Sequence, residues 1–379
     1  MLIALRHRTT LPALLLGALF LPSPALGDED SWEGRRIMPA NPGTRIGHTE
    51  PDGQQVYVAE LTDLVYTVGK DQNGWLHLRH RGVADWLWKG QAVLLADAID
   101  YFGQRIRTDR TDAHAFAHRG RAWQEEGEPE RALRDLTEAL RLQRKNTAWW
   151  RTRAAIYDDL REQDEALADL GEAIRLEPKD AVNYLQRGIL YKTAKEYDKA
   201  IADHTAALRL DPKSSAAFFN RGNAFKAQKA YEKAIADYSE AIRLKPDLTA
   251  AYFNRANAHN GRKDHAQAIR DLNEVIRLDP QDADAHSNLA WTLATSPDAK
   301  IRDGKKAVEY ATKACEWTSW KAPYFLAVLA VAHGEAGDFP QAIQWQKQAL
   351  EFSRYERDEG DRARQRLKLF EERKPYREE

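Results

Sequence analysis

A constant spacing recurs along this chain and limits its possible folds more than any other feature of the sequence. Four residue types recur without interruption at one fixed interval, the sequence separation between Ala132 and Ala166. We call this interval the repeat period. The columns are Ala132, Ala166, Ala200, Ala234 and Ala268; Arg119, Arg153, Arg187, Arg221 and Arg255; Asp135, Asp169, Asp203, Asp237 and Asp271; and Pro178, Pro212, Pro246 and Pro280. Chance does not hold four columns in register over five copies, so the chain contains repeated supersecondary units.

Each unit contains two amphipathic stretches with helical spacing. In the four units that have the proline of the column, the second stretch ends at that proline. In residues 181–214, Tyr184 and Tyr191 share one face of the first helix, and Ala200 and Leu208 share one face of the second. The first helices carry a small residue where the second helix must come close: Gly120, Ala154, Gly188, Gly222 and Ala256. Such helix pairs bury their apolar faces against neighbouring pairs, which predicts an α-solenoid.

Residues 215–248 resemble the tetratricopeptide repeat (TPR) family at all seven positions of its signature. These positions are Phe218, Gly222, Phe225, Ala234, Tyr238, Ala241 and Pro246. The resemblance implies a mainly α fold, a right-handed solenoid of helix-turn-helix units. It is close over residues 113–281 and looser to about residue 355. The seven expected units are 113–146, 147–180, 181–214, 215–248, 249–282, 283–322 and 323–355.

Both ends of the array depart from the regular repeat. The register extends back to a half-repeat over residues 95–112, whose apolar positions are Phe102 and Ile106. In the sixth unit the alanine that corresponds to the Ala132 column, which we call the key alanine, is Ala307. It stands five residues after the position that the repeat period predicts, which indicates a longer turn around Ser296–Asp303. Residues 356–379 predict a capping helix and tail with an apolar face of Ala363, Leu367 and Phe370.

Residues 28–94 follow a different pattern, with short runs of valine, tyrosine, tryptophan and leucine between turn signals. This pattern predicts a small all-β barrel. The stretch Gly74–Arg79, followed by Gly82 and Trp86, is similar to bacterial SH3-like domains. That resemblance implies binding of wall peptides, ligands or proteins, with Trp75, Trp86 and Trp88 as candidate contacts. The alternative is a barrel that only caps the solenoid.

Residues 1–27 have the pattern of a secretory signal peptide. Arg6 and Arg8 precede the apolar stretch Leu11–Leu21, and small residues suited to a signal peptidase stand just before Asp28. The sequence therefore predicts export to the periplasm or the exterior of a bacterial cell. An uncleaved amphipathic or buried helix is the alternative. The apolar stretch is too short to span a bilayer, and no other segment is expected to span one.

Composition disfavours several functional classes. Lys and Arg total 57 and Asp and Glu total 58, which argues against a broad nucleic-acid-binding surface. Cys315 is the single cysteine, so there is no intramolecular disulfide and no multi-cysteine zinc site. The sequence contains no phosphate-binding glycine loop and no G-x-S-x-G or H-E-x-x-H motif. We therefore expect neither an enzyme nor a cofactor or metal site.

Asparagines recur on the first helices at spacings that place them on one face. They are Asn220, Asn223, Asn254, Asn257 and Asn288. The TPR resemblance implies that these positions line a groove in which amides hold a bound peptide backbone, with Phe219 and Phe253 beside them. An amide both donates and accepts, so it suits a main chain of any sequence. Alternatively, these side chains face solvent or bridge neighbouring helices.

The charged columns indicate a structural role. The arginine and aspartate of one unit lie on its two different helices, so we expect them to pair with each other. An arginine ladder for an acidic ligand is the alternative. His204 and His259 fall on core positions of the repeat and are predicted to pack there.

Together these features predict an exported, non-catalytic interaction scaffold that binds a peptide or protein segment in the TPR groove. The alternative is a cell-wall-associated module whose barrel binds peptidoglycan or its stem peptides. The solenoid would then present partners or hold the barrel away from the wall.

Overall fold

The computed structural model describes residues 35–41, 45–49, 55–60, 66–68, 70–72, 75–80, 83–88 and 91–378. The predicted signal peptide, residues 1–27, lies outside these ranges. The described strands are β1 (Arg36–Pro39), β2 (Arg45–Thr49), β3 (Gln55–Glu60), β4 (Tyr66–Thr67), β5 (Lys70–Gln72), β6 (Trp75–His80), β7 (Val83–Trp88) and β8 (Ala92–Leu94).

Sixteen helices are described, so the protein is mainly helical. They are α1 (Leu95–Thr108), α2 (Ala113–Glu125), α3 (Pro129–Leu142), α4 (Thr147–Asp159), α5 (Gln163–Leu176), α6 (Ala181–Thr193), α7 (Tyr197–Leu210), α8 (Ser215–Ala227), α9 (Tyr231–Leu244), α10 (Thr249–Gly261), α11 (His265–Leu278), α12 (Ala283–Thr295), α13 (Gly304–Trp317), α14 (Pro323–Glu335), α15 (Phe339–Leu350) and α16 (Ser353–Glu371). In the described part of the chain, no helix has the length and apolarity needed to cross a membrane.

The strands form two antiparallel sheets. One has the order β4-β1-β8 and the other the order β3-β2-β7-β6-β5. Ile37 and Leu94 of the first sheet share a buried cluster with Leu76, Leu78 and Leu87 of the second. Among the described strands neither sheet closes on itself, because β4 and β8 are the edge strands of the first sheet and β3 and β5 are those of the second. The closed barrel, and with it the SH3-like domain, is therefore not shown by this pairing.

The chain divides into two compact units, Met1–Leu142 and Gln143–Glu379. The division falls between α3 and α4. The reason lies in the packing of the first unit, where Met38 and Val93 of the sheet share a buried cluster with Phe102 of α1 and Ala115 of α2. The three-stranded sheet and the helices α1 and α2 therefore have a common core.

Capping residues define where the first helices begin. The side chains of Asp112, Asn146, Asp180, Ser214 and Asp282 each accept a hydrogen bond from a backbone N–H in the first turn of the helix that follows. These caps satisfy donors that have no partner within the helix. In the remaining regular unit, Leu248 stands at this position and provides no side-chain cap. The column of caps adds a fifth feature that recurs at the repeat period.

The predicted close approach of the two helices is confirmed at two glycines. A Cβ atom at Gly222 would lie 2.8 Å from Cε1 of Tyr238, and one at Gly188 would lie 2.6 Å from Cε1 of His204. Tyr238 and His204 are both fully buried. The aromatic rings therefore occupy the space that the missing side chains leave.

The predicted pairing of the arginine and aspartate columns is also confirmed. In all five units the guanidinium donates from Nε and Nη2 to the two carboxylate oxygens at 2.6–2.9 Å. Arg221 and Arg255 also reach the preceding unit: Nη1 of Arg221 donates to Oγ1 of Thr205 at 3.2 Å, and Nη1 of Arg255 donates to Oγ of Ser239 at 2.9 Å.

The sixth and seventh units replace this ion pair with apolar side chains. Leu289 stands one repeat period after Arg255, and Tyr310 stands three residues after the key alanine, where the regular units have aspartate. Leu329 and Trp345 hold the same two positions in the seventh unit. All four belong to the apolar core that runs through these units. Apolar contacts thus replace the bidentate ion pair at the same place in the repeat.

The longer turn predicted in the sixth unit is confirmed, because α12 ends at Thr295 and α13 begins at Gly304. Arg302 fixes this turn by donating to the carbonyls of Ser296 and Pro297 and by pairing with Glu335 at 2.8 Å. The turn therefore lies directly against the end of α14.

Gly304 is sensitive to the addition of a single methyl group. A Cβ there would lie 2.5 Å from the backbone N of Ala336, and backbone cannot rotate away as a side chain can. We expect Gly304→Ala to lower the free energy of unfolding by about 2 kcal/mol. The matched control is Gly171→Ala in α5, where nothing lies within 4 Å of the added atom. That change should raise stability by about 0.5–1 kcal/mol. Urea unfolding followed by circular dichroism measures both, and equal stability of the two variants would contradict the close contact.

The C-terminal helix covers the end of the array. Ala363 and Phe370 are fully buried as predicted, and Leu367 is partly buried. The ring of Phe370 packs against Gly334 of α14, where an added Cβ would lie 2.7 Å from Cε1. After α16 the chain continues without regular secondary structure to residue 378.

Candidate functional site

The predicted groove asparagines lie on three successive first helices. Asn220 and Asn223 are on α8, Asn254 and Asn257 on α10, and Asn288 on α12, and all five are partly exposed. Phe219 and Phe253 are partly buried on α8 and α10. Phe219 packs at a tilt against Tyr238, with 6.0 Å between ring centroids, and Phe253 packs against the core cluster of the later units.

Most of these amides form hydrogen bonds within the protein. Nδ2 of Asn220 donates to the carbonyl of Ala216 one turn earlier, at 2.9 Å. Oδ1 of Asn223 accepts from the hydroxyl of the buried Tyr238 at 2.7 Å. The hydrogen bond from Tyr238 holds the oxygen of the Asn223 amide in place. The NH₂ group of the same amide is a further hydrogen-bond donor.

The remaining amides connect one first helix to the next. Nζ of Lys226 on α8 donates to Oδ1 of Asn254 at 2.6 Å, and Nδ2 of Asn288 donates to Oδ1 of Asn257 at 3.5 Å. Asn260 of α10 also donates to Oγ1 of Thr292 of α12, at 3.1 Å. Bridging of neighbouring helices was one of the alternatives predicted for these asparagines. Asn254, Asn257 and Asn288 form such bridges. We call this series of contacts from α8 to α12 the amide row.

The beginning of the amide row is positively charged. Lys192 and Lys226 stand one repeat period apart on α6 and α8. Burial and the charge of Lys192 lower the pKa of Lys226. Burial, Arg221 and Lys192 likewise lower the pKa of the nearby His204 to about 4. His204 therefore stays neutral at physiological pH, and the two lysines supply the local positive charge.

A cavity of about 380 Å³ lies at the other end of the amide row. Asn288 and Trp291 of α12 line one side of it, Tyr324 and Phe325 of α14 another, and Arg366 of α16 a third. Trp291 stands one repeat period after Asn257, so it occupies a groove position of the repeat. Neither Trp291 nor Arg366 was among the residues predicted for this site, although the repeat register identifies the position of Trp291.

The tryptophans proposed as barrel contacts lie on two paired strands. The antiparallel register of β6 and β7 places Trp75 opposite Trp88 and His77 opposite Trp86. Trp86 is also opposite Gly47 of β2. The three positions thus belong to neighbouring strands of the five-stranded sheet.

The titratable groups of the described ranges show no arrangement typical of metal or thiol chemistry. Within those ranges, no three His, Cys, Asp or Glu side chains are placed to share a metal ion. Cys315 is fully buried, and burial raises the pKa of its thiol to about 12. A thiol with that pKa is a poor nucleophile because almost none of it is ionised.

Family comparisons identify the repeats. Residues 181–214 and 249–282 match a model described as tetratricopeptide repeat, and residues 222–261 match one described as TPR repeat. No curated protein matches the chain.

Solved structures share the fold at low identity. A tetratricopeptide repeat protein from Parabacteroides merdae is 17% identical with a TM-score of 0.51, and the match covers 68% of this chain and 98% of that one. The C-terminal part of a TPR repeat-containing protein from Cytophaga hutchinsonii is 18% identical with a TM-score of 0.51, covering 61% and 93%. YrrB, described as a TPR protein with an unusual peptide-binding site, is 18% identical with a TM-score of 0.42, covering 48% and 95%.

These likenesses concern the fold. Together with the family models and the helix pairs, the two matches with a TM-score of 0.51 show that the helical array is TPR-like, a fold suited to protein–protein interaction. The chain contains tetratricopeptide repeats, which the family models match within residues 181–282.

Proposed function

We propose that the protein is an exported, non-catalytic scaffold that binds an extended peptide or protein segment along the amide row of α8, α10 and α12. The observation that carries this proposal is the amide row itself. Partly exposed amides on adjacent first helices are held by side chains of the neighbouring helix, and they end at a cavity large enough for side chains of a ligand.

The physical argument concerns preorganisation. Asn223 is oriented by Tyr238 and Asn254 by Lys226, so neither amide must be ordered when a ligand arrives. A rigid surface lowers the entropy cost of capturing an extended chain. Amides pair with peptide groups irrespective of side chains, whereas Phe219 and Phe253 offer apolar contacts beside them.

Export and the absence of catalysis are parts of the same proposal. Export is supported by the charged, apolar and small-residue segments of residues 1–27. A non-catalytic role is supported by the structural use of the Arg–Asp columns, which accounts for the most regular charged groups. The predicted binding of peptidoglycan by Trp75, Trp86 and Trp88 has no further observation in its favour and stays a prediction.

The test compares capture of envelope proteins by the chain and by the double variant Asn223→Ala with Asn254→Ala. Each lost amide contact should cost about 1 kcal/mol, so binding of a captured partner should weaken roughly 10–30-fold. Biolayer interferometry with the purified partner measures the change. The matched control is Asn273→Ala, an exposed asparagine on α11 of the same unit as Asn254. Equal affinity of the double variant and the control would contradict the groove assignment.

The protein for this experiment is recovered from the envelope fraction of expressing cells. Export with cleavage after Gly27 gives an N-terminus at Asp28, which Edman sequencing detects. Recovery only from the cytoplasm, with residues 1–27 retained, would contradict the proposed export. Thermal unfolding of each variant shows whether a loss of binding reflects the groove or a loss of fold.

A further inference from the structure

The last residues of the chain turn back over the helices of the sixth and seventh units. The backbone N–H of Glu378 donates to the carbonyl of Thr295 at 3.0 Å, and its carboxylate accepts from Nε1 of Trp291 at 2.7 Å. Arg377 pairs with Glu335 at the end of α14, at 3.1 Å. We call residues 374–378 the C-terminal tail. It contacts the protein through a main-chain hydrogen bond, a carboxylate and an ion pair, as a bound peptide does.

Arg366 lies beside this tail and forms no ion pair with a carboxylate of the described residues. Its side chain lies near the rings of Trp291 and Tyr376, with its guanidinium carbon 5.9 Å and 5.7 Å from the two centroids. Nη2 donates to the hydroxyl of Tyr355 at 2.9 Å, while the buried Nε has no hydrogen-bond partner. The residue is 7% exposed, and it forms no ion pair within the described residues. A buried guanidinium with an unused donor favours an anion, because leaving it unpaired is costly.

The cavity provides the apolar part of a binding site beside this charge. Trp291, Tyr324 and Phe325 contribute aromatic surface, and Arg366 lines the same space. Asp284 and Glu359 also line the cavity. These two carboxylates disfavour a ligand with many negative charges.

The tail itself indicates the kind of segment that fits. Tyr376 lies against Trp291, with 5.8 Å between ring centroids, and Glu378 accepts from the same indole. Residues two apart in an extended chain point to the same side, so an aromatic group and a carboxylate at this spacing reach one surface together. Both groups bind residues that also line the cavity.

We propose that Trp291, Arg366 and the adjoining cavity form a binding site for an extended peptide segment with an aromatic residue two positions before a carboxylate, and that the C-terminal tail occupies the part of this site formed by Trp291 and Arg366 in cis. A partner segment of that chemistry must displace the tail. The inference deepens the proposed function, since Asn288 belongs to both the amide row and the cavity, but its test uses different residues.

The experiment compares the full chain with a chain that ends at Arg373, using a synthetic peptide of residues 374–379 as the probe. Isothermal titration calorimetry should show binding to the shortened chain. The full chain should bind at least about tenfold more weakly, because a tethered segment competes at millimolar effective concentration. Peptides with Tyr376→Ala or Glu378→Gln should each bind roughly tenfold more weakly to the shortened chain, since each loses one anchoring group.

Variants of the shortened chain separate the contributions. Arg366→Gln should weaken binding of the peptide roughly tenfold, because it removes the cation that lies against the ring of Tyr376. Arg357→Gln, at an exposed arginine on the same helix, should leave binding unchanged. Asn273→Ala, an exposed asparagine of α11 outside both proposed sites, should also leave it unchanged. The amide-row proposal is tested with a captured envelope protein and this one with the tail peptide, so failure of either proposal gives a different result. The substituted peptides test the site even if Arg366→Gln fails to fold.

Three results would overturn the inference. They are no binding to the shortened chain, equal binding to both chains, and loss of helical circular dichroism when the tail is removed. The last would make the tail a structural strap that no partner displaces.

Discussion

Asp237→Ala is expected to lower the free energy of unfolding by about 3 kcal/mol or more, because it leaves a largely buried guanidinium without its counter-charge. Arg221 is 20% exposed and makes two hydrogen bonds of 2.7 Å to this carboxylate. After the substitution only the hydroxyl of Thr205 remains as its hydrogen-bond partner among the described residues. Urea unfolding measures the total loss.

Hydrogen exchange resolved by mass spectrometry locates that loss. Neighbouring repeats unfold with partly independent stabilities, so protection should fall most in α8 and α9. Helices α4 and α5 serve as an internal reference, because their own pair, Arg153 with Asp169, is intact. A uniform decrease along the chain would contradict a local role for the pair.

The sixth unit supplies the control for this experiment. Arg221→Leu combined with Asp237→Tyr reproduces the residues that stand at these positions as Leu289 and Tyr310. Replacement of a buried ion pair by apolar groups of suitable shape is often nearly neutral, so the double variant should recover most of the stability, to within about 1–2 kcal/mol of the native chain. If the double variant is no more stable than Asp237→Ala alone, packing at this position is specific to the ion pair.

Acid should destabilise the protein through His204, whose folded-state pKa is lowered to about 4 from an ordinary 6.5. The main cause is burial, and Arg221 and Lys192 add to it. Between pH 6.5 and 4 the unfolded chain binds a proton at this imidazole that the folded chain does not. The free energy of unfolding therefore falls as the pH falls through that window, by on the order of 3 kcal/mol from this group, and above pH 6.5 the group has no effect.

The control for this pH dependence is His204→Tyr. Tyr238 stands at the equivalent position one unit later and faces Gly222 as His204 faces Gly188, so the space for the ring exists in the repeat. Tyrosine does not titrate between pH 4 and 7. Thermal midpoints measured at several pH values should therefore fall more steeply for the native chain than for the variant. Parallel curves would contradict the role of His204.

Much of the helical fold was predictable because it is periodic. The proline column marks the ends of second helices: α5, α7, α9 and α11 each end two residues before its members. Ala307 stands later in the sequence than the repeat period predicts, and this displacement correctly predicted the longer turn of the sixth unit. A repeat fixes which residues contact each other in every copy, so one pattern predicts many contacts.

The N-terminal segment was less predictable for a physical reason. Alternating apolar runs indicate strands, but they do not determine which strands pair. Here β1 pairs with β8, which is distant in sequence and leads directly into α1. A non-periodic, long-range pairing of this kind leaves no mark on local composition.

The candidate site was predictable only in part. The register placed Asn254, Asn257 and Asn288 on one series of helices, but it did not reveal that they would bond to neighbouring helices. Nor did it reveal the contact of Trp291 with Glu378, since these residues are far apart in sequence and the tail has no periodic pattern. Contacts that occur once in a repeat protein are beyond the reach of a periodicity argument.

The arginine contacts between units also bear on how such an array grows. Each of Arg221 and Arg255 is held by a carboxylate of its own unit and by a hydroxyl of the unit before it. A gene duplication that copies one whole repeat period in phase therefore carries the arginine, its aspartate and the hydroxyl that the next copy requires. A duplication of any other length separates them. The chain can therefore lengthen by whole units while every new unit keeps the same contacts with its neighbour, and the repeat length is preserved.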